Sequence, residues 1–95
     1  MKDINNLTDN VTYSETHAIK WLLNEVIKSK GYECTIDTLE ASVSAAVSEV
    51  HIKSALRKLA IAEAIKFKSL GKNKIHVWVT GKSTFHTLVK VLEVR

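Results

Sequence analysis

The strongest constraint on the fold is a change in the spacing of apolar residues near position 64. Before it, Ile52, Leu56 and Leu59 follow the i, i+4, i+7 spacing of a buried helical stripe. After it, Ile65 and Phe67 alternate with lysines, which is the period of a strand with one buried face. A chain that contains both periods packs helices against a sheet, so we expect an α+β fold that is mainly α.

The first helix is expected to begin at Glu15, with Ser14 as its cap, and to stop at Gly31. Its buried stripe would consist of Ile19, Leu22, Leu23, Val26 and Ile27. Trp21 lies beside this stripe and is expected to pack at the edge of the core. Residues 1–13 are polar and rich in Asn and Thr, which predicts a flexible arm ahead of a single domain over residues 14–95.

A short second helix is expected after an extended segment at residues 32–34. Thr35 would be its cap, and Leu39 and Val43 would face inward as its buried pair. Residues 44–46 would interrupt it, which leaves a long connection to the third helix at Ser48.

The third helix is predicted to run from the Ser48 cap to about Ile61. At 100° per residue, the side opposite its apolar stripe would be exposed. That side would carry three cations and no carboxylate. Its residues would be Val50, His51, Lys53, Ser54, Arg57 and Lys58.

A β-hairpin over residues 64–79 and a last helix complete the predicted elements. The hairpin would hold four lysines on one face and at the tip, namely Lys66, Lys68, Lys72 and Lys74. Thr80 or Ser83 would cap the last helix, whose apolar stripe is Phe85, Leu88, Val89 and Leu92.

Charge is divided unevenly along the chain. Residues 1–46 hold 4 Lys+Arg and 7 Asp+Glu, a net charge of −3, whereas residues 47–95 hold 10 and 3, a net charge of +7. A basic half on a small domain favours a polyanionic partner. The alternative is a solvated surface on which lysines happen to cluster.

Several classes of protein are disfavoured by the sequence. No apolar stretch approaches the length of a membrane span, and residues 1–6 lack the apolar core of a signal peptide, so we expect a cytoplasmic protein. The single Cys34 cannot form an internal disulfide and is expected to be a small buried residue. We find no catalytic constellation, metal-ligand spacing or phosphate loop, and expect no enzyme activity, cofactor, metal or small-molecule ligand.

The order helix, short strand, helix, helix, hairpin, helix resembles that of winged helix-turn-helix domains. The resemblance covers about residues 14–93 and is carried by Thr35, Leu39, Ser48, Ile52, Leu56, Leu59, the hairpin and Val79-Thr80-Gly81. Glycines common in the family's helix-turn-helix are replaced here by Ala45-Ala46. The resemblance implies that the third helix enters the DNA major groove while the hairpin lies on the backbone.

Two functions follow from these features. The first hypothesis is sequence-specific binding of double-stranded DNA by a small transcriptional regulator. Its contact residues would be the exposed face of the third helix and the hairpin lysines: Val50, His51, Lys53, Ser54, Arg57, Lys58, Lys66, Lys68, Lys72 and Lys74. The alternative is a winged-helix protein-interaction module that binds an acidic partner in a transcription or replication complex.

Two further expectations concern tryptophans. Trp78 shares a hairpin face with His76; it is expected to pack against a neighbouring helix rather than to stack on a sugar or base. A homodimer is also possible, with Val91 and Trp21 as parts of its seam.

Overall fold

The computed structural model of the chain describes residues 13–92, which form four helices and three strands. The helices are α1 (Tyr13–Lys28), α2 (Thr38–Ala45), α3 (Glu49–Ile61) and α4 (Lys82–Val91), and the strands are β1 (Glu33–Asp37), β2 (Ile65–Gly71) and β3 (Lys74–Val79). A 3-10 turn at Lys30–Tyr32 links α1 to β1. This small, mainly helical α+β architecture confirms the fold class at that level. Residues 1–12 of the predicted arm and the last three residues of the chain lie outside the described part, whereas Tyr13, the last residue of the predicted arm, begins α1.

Helix α1 buries four of the five residues of its predicted stripe, and Ile19, Leu22 and Leu23 are almost inaccessible to solvent. The fifth, Ile27, is 37% exposed, because it lies in the last turn of the helix. The helix begins at Tyr13, so Ser14 lies inside it and is not its cap. Gly31 has a φ of 72°, the left-handed conformation expected of a glycine after a helix.

The three strands form one antiparallel sheet in the order β1-β3-β2. The hairpin of β2 and β3 is confirmed, and β1 adds a third strand by pairing along β3 from Glu33 opposite Trp78 to Asp37 opposite Lys74. The extended segment therefore continues three residues beyond its predicted end at Cys34.

Asp37, not Thr35, caps helix α2. One carboxylate oxygen of Asp37 accepts hydrogen bonds from the backbone N–H groups of Leu39 (2.9 Å) and Glu40 (3.2 Å). Thr35 cannot cap the helix because it lies in β1, opposite His76.

The inward face of α2 also differs from the prediction. Leu39 and Val43 are 51% and 81% exposed. Thr38, Ala41 and Ala45 are buried instead, because these smaller side chains let α2 approach its neighbours closely. The apolar pair at i, i+4 thus lies on the solvent side of the helix.

The connection from α2 to α3 is shorter than expected. Helix α2 continues to Ala45, and three residues, 46–48, separate it from α3. Ala46 adopts the left-handed conformation (φ 57°, ψ 42°) that a glycine would occupy most easily, and its N–H donates to the carbonyl of Val43.

Helix α3 matches its prediction closely. It follows the N-cap residue Ser48, ends at Ile61, and buries Ile52, Leu56 and Leu59 together with Ala55. Because its apolar stripe faces the other helices and the sheet, its polar side is left toward solvent.

Helix α4 closes the core with Phe85, Leu88 and Leu92. Its N-cap residue is Gly81, not Thr80 or Ser83. A side chain at position 81 would collide with the backbone carbonyl of Glu63, so only glycine fits where the chain crosses this point. Within the described residues, no helix is both long and apolar enough to cross a membrane.

Candidate nucleic-acid interface

The exposed face of α3 presents two cations that are free to meet a ligand. Lys53 and Arg57 are exposed, lie four residues apart and therefore project side by side. Within residues 13–92, neither forms an ion pair. Val50, one turn before Ser54, is 71% exposed on the same side of the helix.

Ser54 and Lys58, by contrast, are held by helix α1. The Ser54 hydroxyl donates to Glu15 Oε2 at 2.6 Å, and Lys58 Nζ lies 2.7 Å from the same oxygen. The exposed face carries no carboxylate of α3 itself, as predicted, but Glu15 of α1 contacts it. The spacing within α3 could not show it, since the carboxylate comes from another helix.

His51 has a partner at the beginning of its own helix. Its Nδ1 lies 2.9 Å from the Ser48 hydroxyl, which makes no capping hydrogen bond to the backbone. The contact holds the imidazole at the first turn of α3, beside Val50.

Three of the hairpin lysines lie on the outer face of the sheet. Residues directly opposite each other in an antiparallel pair share a face, and Lys66 and Lys68 stand opposite Trp78 and His76. Lys74, on the same face of β3, lies 3.9 Å from Asp37. The inner face is formed by Ile36, Ile75 and Val77, which are buried in the core with the helices.

The expected single cationic surface is therefore split in two. Lys66 and Lys68 point away from the core against which α3 packs, whereas Lys53 and Arg57 project from α3 itself. These two pairs of cations occupy different faces of the molecule.

The hairpin turn, which contains Lys72, is connected to the beginning of α3 through Thr38. Its Asn73 carbonyl accepts a hydrogen bond from the N–H of Thr38 (2.8 Å), and the Thr38 hydroxyl donates to Glu49 Oε2 (2.7 Å). Since β1 runs beside β3 as far as Lys74, only the two turn residues extend past the paired strands. The hairpin is thus anchored to the first residue of α2 through its turn.

Trp78 does not pack as predicted. The half-buried apolar residues that contact the core among residues 13–92 include Trp21 and Cys34 but not Trp78. Trp78 lies on the outer face beside His76, with the ring centroids 5.7 Å apart and the ring planes inclined by 31°. The prediction for Trp21 at the core edge is confirmed.

The remaining polar features lie away from α3. Burial raises the pKa of the Cys34 thiol, a hydrogen bond with Ser29 opposes this shift, and the charge of Glu25 adds to it.

A cavity of about 150 Å³ between α1, β1 and α2 is lined by Trp21 and by carboxylates, which does not suit an anion. Within the described residues no group of His, Cys, Asp and Glu could hold a metal ion.

Comparison with known proteins adds no family. The chain matches no protein-family model, and no curated protein is significantly similar to it.

Proposed function

We propose that the chain is a winged helix-turn-helix protein that binds double-stranded DNA sequence-specifically and acts as a small transcriptional regulator. The observation that carries the proposal is the pair Lys53 and Arg57, exposed on α3 without ion pairs within residues 13–92. The three-residue connection from α2 to α3 supports it, because helix-turn-helix motifs use turns of this length.

The exposed side of α3 suits a DNA major groove, which admits one α-helix. The Arg57 guanidinium would bind guanine O6 and N7 with two hydrogen bonds, and Lys53 would bind a phosphate or a second base edge. Val50 would contact a thymine methyl group. Ser54 and Lys58 would reach DNA only after releasing Glu15.

The turn residue Lys72 is the sheet lysine best placed to add a phosphate contact beside α3. This follows from the contacts of Thr38, which joins the turn to the first residue of α3. Lys66 and Lys68 would not contact this duplex, because they lie on the face of the sheet that points away from the core and from α3.

Fluorescence anisotropy on duplexes selected from a random pool tests this proposal. We expect Arg57→Ala to weaken binding about 10-fold or more and to relax the preference at one base pair, since a bidentate contact contributes about 1–3 kcal/mol. Lys53→Ala should weaken binding to all sequences. Lys20→Ala, on the exposed side of α1, makes the same charge change and should leave the affinity within about twofold.

Selection that enriches no sequence, or equal affinities for Arg57→Ala and Lys20→Ala, would contradict DNA reading by α3. Circular dichroism of each variant separates loss of binding from loss of folding.

A protein-interaction role is the second candidate, and the exposed side chains of α2 favour it. Leu39 and Val43 lie on one side of α2, which contains no cation and one carboxylate, Glu40. Such a surface does not attract phosphates, but it suits an apolar protein contact. An acidic partner would then meet Lys53 and Arg57 on the adjoining helix.

Selection from a library of acidic peptides tests this second candidate. Peptides whose binding is lost in Val43→Ser and in Arg57→Ala, but kept in Lys20→Ala, would support it. If such peptides are absent while a duplex is selected, DNA binding remains the proposed function.

The homodimer also stays a hypothesis: Val91 is exposed, but Trp21 already packs against its own core.

A further inference from the structure

The outer face of the sheet combines two aromatic rings with two cations. Trp78 and His76 are successive outward residues of the central strand β3, and Lys66 and Lys68 stand directly opposite them on β2. Both lysines are exposed, and neither forms an ion pair within residues 13–92. Each ring therefore has a lysine directly across from it on β2, whose ammonium group has no ion pair among these residues.

The carboxylates of this face lie on the other side of the rings. Glu33 and Asp37 belong to β1, and each already has a partner on β3: Glu33 Oε1 lies 3.2 Å from His76 Nε2, and Asp37 Oδ2 lies 3.9 Å from Lys74 Nζ. Among the outward residues of the three described strands, the carboxylates therefore lie on β1. The strip over β2 and β3 carries the unpaired positive charge.

The two rings are held in place. His76 is fixed from β1 on both nitrogens, because Thr35 Oγ1 lies 3.2 Å from Nδ1 and Glu33 approaches Nε2. Trp78 is half-buried between its neighbours and contacts the imidazole. Rings that are already positioned lose little conformational entropy when a flat ligand covers them.

We propose that this outer face binds single-stranded nucleic acid, with unpaired bases stacked on Trp78 and His76 and with phosphates at Lys66 and Lys68. Stacking surfaces beside a line of cations are what single strands require, whereas the bases of a duplex cannot reach a flat sheet. This site uses a different face and a different form of nucleic acid from the α3 surface, and so does not depend on the proposed duplex binding.

The fluorescence of Trp78 provides a direct readout. In a Trp21→Phe background Trp78 is the only tryptophan of the chain. Titration with 12-nucleotide oligo-dT and oligo-U should quench it, since stacking places a base against the indole. The two oligonucleotides show whether DNA or RNA is preferred, and a blunt duplex of random sequence should quench much less at the same concentration.

Substitutions on the face then test the contacts. Trp78→Ala should weaken single-strand binding about 5- to 100-fold, whereas Trp78→Phe should retain most of the affinity. Lys66→Ala and Lys68→Ala should each weaken binding and lower the salt slope by about 0.7. The double variant Lys53→Ala/Arg57→Ala should bind oligo-dT and oligo-U like the unsubstituted protein.

The proposal is overturned if neither oligonucleotide quenches Trp78 at low salt, or if the α3 double variant loses single-strand binding as fully as Lys66→Ala/Lys68→Ala does. Thermal unfolding checks that Trp78→Ala remains folded. The lysine variants test the site independently, because their side chains are exposed and contribute little to stability.

Discussion

Thr38 is a fully buried polar residue, and it joins three elements. Its N–H donates to the Asn73 carbonyl of the hairpin turn, while its hydroxyl donates to Glu49 at the first turn of α3. A single threonine thus fixes the sheet, α2 and α3 relative to one another. Within the described residues, every buried polar side-chain atom, the Thr38 hydroxyl included, has a hydrogen-bond partner.

Thr38→Val is expected to lower the free energy of unfolding by about 1–3 kcal/mol. The isosteric valine keeps the packing but leaves the half-buried Glu49 carboxylate without this donor. Urea unfolding measures the loss, and Thr38→Ser, which keeps the hydroxyl, should retain most of the stability. Equal losses in both variants would show that the methyl group, not the hydrogen bond, matters.

Cys34 is expected to react slowly with iodoacetamide near neutral pH. Burial raises the pKa of the folded thiol, so less thiolate is present than in the unfolded chain. The thiol therefore stabilises the fold fully below the unfolded pKa, and this contribution is lost as pH rises through the folded pKa. Alkylation rates against pH, in buffer and in urea, measure both values.

Ser29→Ala provides the matched comparison for Cys34. It removes the hydrogen bond that lowers the pKa, so the inflection in the alkylation rate should move to higher pH. An inflection that stays in place, or moves to lower pH, would contradict the assigned role of Ser29.

At the scale of the elements, the connection from α2 to α3 depends on a strained residue. Ala46 has a positive φ, which costs a residue with a Cβ about 1–2 kcal/mol. The strain is tolerated because the N–H groups of Ala46 and Val47 donate to carbonyls at the end of α2.

Ala46→Gly is expected to raise the free energy of unfolding by about 0.5–1 kcal/mol, because glycine adopts this conformation without a steric penalty. Ala60→Gly, inside α3, is the control with the same chemical change in a right-handed helix. It should be destabilising by about 1 kcal/mol. Thermal unfolding of both variants checks the opposite signs, and two destabilised variants would contradict the argument.

The sequence predicts those elements whose apolar period is long and regular. The buried stripe of α3 and the alternation of β3 are correct because burial of one face requires those periods. In β2 only Ile65 is buried, and Phe67, which the alternation also placed in the core, is 37% exposed. The buried side of α2 was predicted wrongly, because a helix of eight residues with small buried side chains gives only a weak hydrophobic pattern. Asp37 caps α2 in place of Thr35, because pairing with β3 keeps Thr35 extended. No local signal in the sequence shows this pairing.

The candidate site was predictable in its residue types but not in its arrangement. Lys53 and Arg57 are exposed, as the helical spacing indicates. The contact of Glu15 with Ser54 and Lys58 joins residues about forty positions apart, and the outward direction of Lys66 and Lys68 depends on the sheet register. Both are tertiary facts that the spacing within one element does not contain.

At the scale of the whole molecule, the positive charge of residues 47–95 is shared between two faces. With Lys53 and Lys72 on phosphates and Arg57 on a base, duplex binding would neutralise about two phosphates, so log affinity should fall against log salt with a slope of about −2.

Lys66→Ala/Lys68→Ala is expected to leave this duplex slope unchanged, whereas Lys53→Ala should reduce it by about 0.9. Anisotropy titrations over a series of salt concentrations measure both slopes. A duplex slope that falls in the sheet variant would show that one ligand contacts both faces, and the division into two surfaces would be wrong.

The strand order places β3 in the middle and leaves β2 at an open edge of the described sheet. Open edges invite pairing with a strand of another molecule, and such pairing propagates into aggregates. Lysines at two alternate positions of β2, 66 and 68, oppose this, because two such edges brought together would set ammonium groups beside one another. We therefore expect Lys66 and Lys68 also to hinder polymerisation through this edge in concentrated solutions of the protein.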